Sequence, residues 1–158
     1  MNPYQDLIES LFQKLNRLVS VHPNIRNHGT FHWKKVAQIA SNLAFLAEEP
    51  QEVVHAVIAA SLIHDIGRVH DSTRKDPHHG STSVKIAKNK KLLEALEVKK
   101  EYWNDVYEAV KNHTWGKQTS QTIARYVWDA DRLCLMGFIK DLMDPERMSS
   151  SVWKKLCR

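Results

Sequence analysis

Glycine and proline are scarce in this chain, five of each in 158 residues. That scarcity argues against a turn-rich all-β fold and favours helices, whose interiors tolerate neither residue well. Cysteine is scarcer still. Cys134 and Cys157 form no C-x-x-C pair and suggest no disulfide framework, which fits a reducing, cytoplasmic setting. No apolar run reaches the length of a membrane span, and the opening MNPYQDLIES is polar and acidic where a secretory signal is cationic and then apolar. Repeats, low-complexity tracts and second-domain linkers are absent, and no segment reads as a strand. What is there is an ordinary globular composition, 42% hydrophobic and 26% charged. Residues 1–158 read as a single domain, large enough to bury a proper core. The formal net charge of +5 suits an anionic ligand, or is no more than a mildly basic surface.

Helical periodicity organises the rest. Asn2-Pro3 is a natural helix start, and Leu7, Leu11, Leu15 and Leu18 repeat at helical spacing to about Val19. After a loop at 21–29, Thr30 can cap a helix from Phe31 to Ala47 with the inward stripe His32, Val36, Ile39, Leu43, Leu46. The next helix, from Gln51 to Ile66, is apolar on almost every side and belongs in the middle of the fold. Gly67 reads as its C-terminal residue with a left-handed backbone, and Arg68 as a cation at the negative end. A polar connection at 69–80 follows, where His78, His79, Arg74 and Lys75 lie. Further helices are expected from Ser81 or Thr82 to about Ala87, around 92–96, over 101–113 and over 121–143, with a solvated turn at 88–91 and a tail helix near 152–156. The fold class is all-α.

Several polar residues break these apolar faces. His32 begins one stripe and His113 ends another; His64 and Asp65 close the central helix. Asp131 lies among Ile123, Val127, Cys134 and Phe138, with Asp129 as its rival. Taken singly, each has a bland explanation as a hydrogen-bonded core residue, a cap or an arginine partner. Buried without partners, such groups cost roughly several kcal/mol each. Taken together, at the ends or inner faces of four helices that must share a core, they point to a common ion. Imidazole and carboxylate suit first-row divalent metals, and bundles build such sites from facing helices.

The order His32, then His64-Asp65 within LIHDIGR, then Asp131 within DADRL resembles the HD-domain metal-dependent phosphohydrolase superfamily. The resemblance covers about residues 31–133. It implies a helical HD-domain fold with a metal site between facing helices, N-terminal and C-terminal helices packed on it, and His32, His64, Asp65 and Asp131 as ligands of a first divalent ion (Mn, Fe, Ni, Co, Mg or Zn). Branches with two further histidines bind a second metal. Here His79 and His113 are the candidates, with His78 as the rival of His79 from the same loop, and Asp65 as the bridge. The run from His79 through Ser83 to Ile86 resembles the segment H-x-x-x-G-x-x-I of those branches.

By the same resemblance Asp65 and Arg68 are catalytic, with Arg68 near a substrate phosphate or else only a helix-end salt bridge. Lys117, Arg74 and Lys75 either meet an anion or are solvated. Trp115, in a loop beside His113, is placed to stack on a base or shape a pocket. His22, His28, His55 and His70 carry less weight, His55 being read as exposed or locally bonded. The implied activity is hydrolysis of a phosphomonoester or phosphodiester, in a nucleotide or other small phosphate ester, by metal-activated water. Two other classes share the pattern: a di-iron oxygenase and a non-enzymatic metal-stabilised binding module. Motifs of nucleic-acid readers, the GYP element of cyclic-dinucleotide esterases and the long accessory regions of triphosphohydrolases are missing.

Overall fold

The computed structural model describes residues 2–20, 29–70 and 77–136. Every regular element among them is helical: α1 (Gln5–Leu18), α2 (Thr30–Leu46), α3 (Gln51–Ile63), a 3-10 turn at Ile66–His70, α4 (His79–Asn89), α5 (Leu92–Ala95), a 3-10 turn at Lys100–Tyr102, α6 (Trp103–Asn112) and α7 (Thr122–Met136). No described helix is long and apolar enough to cross a membrane.

α3 is the axis. From Val53 to Ile63 every side chain but His55 is buried, and α2, α6 and α7 all pack against it. Ala56, Ala59 and Ala60 keep its surface shallow, which lets those neighbours approach closely. His55 is neither exposed nor locally bonded: its Nε2 lies 2.8 Å from the Leu96 carbonyl oxygen, tying α3 to the end of α5. The helix stops at Ile63, earlier than its apolar run, and the 3-10 turn carries Ile66 and Gly67 onward.

Gly67 has a different task from the one its sequence context suggests. No described glycine has a positive φ; the left-handed residues are Glu48, Lys91 and Glu97, just past α2, α4 and α5. Space is what Gly67 supplies. A Cβ there would lie 2.3 Å from the His79 carbonyl oxygen and 2.7 Å from Ser83 N. The Gly67 N–H donates to Ser83 Oγ at 2.8 Å, and that hydroxyl donates to the His64 carbonyl at 2.8 Å. On the opposite side of α4, a Cβ on Gly80 would lie 2.5 Å from Lys111 O and 2.7 Å from Val110 O. The two glycines therefore let α4 sit tightly between the 3-10 turn and α6.

Smaller differences follow the same logic of packing over local pattern. Thr30 is the first residue of α2, and Gly29 takes the cap position without a side-chain bond. Asn2 accepts the Tyr4 N–H at 2.8 Å and donates to Gln38 O (3.1 Å) and Ser41 Oγ (3.0 Å), stitching α1 to α2. Leu18 and Leu46 are exposed; the buried faces instead run through Ile8, Leu11, Phe12 and Leu15, and through His32, Trp33, Val36, Ala40 and Leu43. Arg74, Lys75, His22, His28 and the tail expected near 152–156 lie outside the described residues.

Candidate metal centre

The site forms where α3 ends. His64 is the residue that follows α3, with Asp65 next to it; His32 comes from the first turn of α2 and Asp131 from α7. α4 begins with His79, and His113 follows the last residue of α6. Four helix ends thus place four imidazoles and the Asp65 carboxylate in one pocket, and α7 adds Asp131 from within its length. All six groups are buried except Asp131, which is partly exposed.

Asp65 divides the cluster. Its Oδ2 lies 3.7 Å from His32 Nε2 and 3.6 Å from His64 Nε2. Those two nitrogens are 3.2 Å apart, and Asp131 Oδ1 is 3.1 Å from the first and 3.6 Å from the second. Asp65 Oδ1 faces the other way, 3.1 Å from His79 Nε2 and 3.2 Å from His113 Nε2. These last two nitrogens are 2.8 Å apart.

The outward ring nitrogens fix which way the lone pairs point. His64 Nδ1 lies 2.6 Å from Ser61 O and His113 Nδ1 lies 2.7 Å from Val110 O. A carbonyl only accepts, so in both rings Nδ1 carries the proton and Nε2 turns its lone pair inward when the ring is neutral. Nitrogen lone pairs converging at such distances repel unless a proton or a cation sits among them. The electrostatics register the same demand. Burial works against a charged His64, but Asp65 and Asp131 overcome it and raise its pKa to about 9. Burial likewise opposes an ionised Asp131, yet hydrogen bonds from His32 and His64 hold its carboxyl far below the usual range. A divalent ion satisfies both demands at once, and the groups His32–His64–Asp131 and His64–Asp65–His113 each have donor atoms within 4.8 Å of one another.

Above the cluster lies a cleft of about 480 Å³, reached by Asp65, His113 and Asp131 and walled by Arg68, Thr114, Trp115, Lys117 and Arg132. Arg68 forms the expected ion pair, its Nε donating to Asp65 Oδ1 at 3.0 Å, and its side chain lines the cleft. Lys117 lines it too, exposed. His79 is buried in the cluster while His78, the residue before α4, is exposed, so α4 starts earlier than expected and His79 belongs to a helix rather than a loop. Asp129 is fully buried but turned to Arg132, 3.9 Å away, and Asp131 is the carboxylate at the histidines.

Three participants escaped the sequence. Arg132, flagged only as part of DADRL, is fixed by a hydrogen bond to the Gly116 carbonyl and faces the cleft. Thr114 Oγ1 lies 3.1 Å from His79 Nε2. Cys134, expected only as an apolar face residue, places Sγ 3.3 Å from His32 Nδ1. Burial and Asp131 push its thiol up to about 11, and Sγ faces Nδ1 of His32 while Nε2 of that ring faces the cluster. Adjacency was the available signal, since Arg132 and Thr114 each follow a site residue directly. Ser83, at the glycine position of the segment H-x-x-x-G-x-x-I, offered none; its hydroxyl bridges Gly67 and His64.

A family model, the HD domain, matches residues 31–136. The chain belongs to the HD-domain family. HD domains are mostly metal-dependent hydrolases that bind divalent ions, and the matched span runs from the start of α2 to the end of α7. Comparison with curated proteins and with solved structures gave no significant match.

Proposed function

We propose that this HD domain is a phosphohydrolase that holds two divalent ions and cleaves a phosphomonoester or phosphodiester bond in a small anionic substrate, with a nucleotide as the leading class. His32, His64, Asp65 and Asp131 would hold one ion; Asp65, His79 and His113 would hold the other. The observation that carries this reading is the division of Asp65, one oxygen toward each set of imidazoles. Divalent ions lower the pKa of a bound water from 15.7 towards about 7 and offset charge that develops on a phosphoryl group. Phosphoryl transfer asks little more of a protein than positioning and positive charge.

The chain's own residues supply both. The Ser61 and Val110 carbonyls orient His64 and His113. Arg68 holds Asp65 in place from the cleft side, and Arg68, Lys117 and Arg132 make the cleft attractive to an anion. Those cations favour an anionic ester over the small substrates of a di-iron oxygenase, whose ligand pattern is otherwise the same. The test is elemental analysis of protein purified without added metal, followed by a panel of phosphate esters on that sample. Phosphate release that depends on manganese, iron, cobalt or nickel and stops with a chelator is expected. Oxygen uptake coupled to a substrate, with no phosphate released, would replace hydrolysis by oxygenation.

A further inference from the structure

Trp115 is the large aromatic side chain of the cleft, and none of the chemistry above uses it. The residue is 66% exposed, which leaves a large apolar surface in water that packing elsewhere would have removed. Yet it is firmly placed. Its Nε1 donates to Pro77 O at 2.9 Å, and the next residue's N–H donates to Asn112 O at 2.7 Å. Gly116 lies so close on the buried Trp128 ring that a Cβ would come within 2.2 Å of it, and Arg132 holds the Gly116 carbonyl. The polar atom of the indole is therefore occupied by the backbone, and its rigid apolar rim stands over the cleft that leads to Asp65, His113 and Asp131.

We infer that Trp115 is a stacking platform for a flat aromatic ring carried by the substrate, so that the cleft selects nucleoside phosphates over phosphate esters that lack a ring. The inference rests on the phosphohydrolase reading for its reaction, though not for its binding. A cleft of about 480 Å³ is within the usual range for a small ligand. Stacking on an aromatic side chain tolerates any base, because every base has a π face, so one tryptophan can select for a ring without selecting which ring.

AMP and ribose 5-phosphate test this directly, since they share the sugar and the phosphate and differ only in the base. In the metal-loaded wild type, kcat/KM for AMP should exceed that for ribose 5-phosphate by about tenfold or more. Trp115→Ala should collapse that ratio towards one, and Trp115→Phe should restore most of it. A ratio near one in the wild type, or a ratio unchanged in Trp115→Ala, overturns the inference and leaves the hydrolase reading intact. If neither ester is turned over, the same ratio is read from dissociation constants, with the Trp115 indole N–H resonance as the reporter. AMP binding that depends on Trp115 without turnover keeps the platform and shows that AMP is not the ester cleaved, the hydrolase reading then standing or falling on the ester panel. Equal binding of the two esters sinks the platform.

Discussion

The two halves of the centre are built by different means. His32 and Asp131 lie on α2 and α7 and His64 directly follows α3, the helices whose apolar faces make the core, and they are held where hydrophobic packing leaves them. His79 and His113 belong to α4 and the end of α6, and they meet because Gly67 and Gly80 let α4 approach its neighbours more closely than any other residue would. The first half is a product of burial, and the second a product of missing side chains. Asp65 turns one carboxylate oxygen to each half.

Asp65→Ala should therefore do the most damage. It removes the oxygens that face all four imidazoles, and phosphatase activity should fall by at least about 1000-fold. Measured kcat/KM within tenfold of wild type would show that the two halves do not share a ligand. The next effect is one of pH. His64 titrates at about 9 in the metal-free fold, against about 6.5 in the unfolded chain. Its protonation thus contributes stability that is full below about pH 6.5 and is lost as pH rises through about 9. An ion at His64 needs the neutral ring, so loading must expel that proton. Metal affinity should rise about tenfold per pH unit from 7 towards 9 and then flatten, and calorimetry in two buffers should count about one proton released. An affinity flat across that range would contradict the assignment of His64.

Gly80→Ala should have the smallest effect and the most selective one. A Cβ that would lie 2.5 Å from Lys111 O forces α4 away from α6, at a cost of about 1–3 kcal/mol. The His79–His113 half should loosen while the His32–His64–Asp131 half keeps its ion. Denaturant unfolding with metal analysis of the same variant checks both parts, and unchanged stability would remove the packing explanation.

These contrasts also explain what the sequence disclosed. The first half was legible because apolar periodicity marks inward faces, so a polar residue on one, such as His32 or Asp131, stands out. The second half was only half legible. His113 ends a visible stripe, but the local pattern puts His79 in a loop, because the start of α4 is set by tertiary contacts of Gly80 with α6 and not by a capping signal. The role of Gly67 is hidden for the same reason: a close approach from distant residues leaves no local trace, whereas a helix end suggests a turn. His55 and Leu96 lie far apart in the chain, so their hydrogen bond could not be anticipated. Arg132 and Cys134 sat on a helix whose face was correctly oriented, yet nothing in their spacing said what their side chains would reach.

The claim that joins these observations is that Asp65 bridges two ions, and counting metal tests it most directly. Protein saturated with manganese and passed through a desalting column should carry two equivalents per chain in the wild type. His113→Ala should carry one. One equivalent in both proteins would contradict the account, because His113 would then stand outside the metal site it faces.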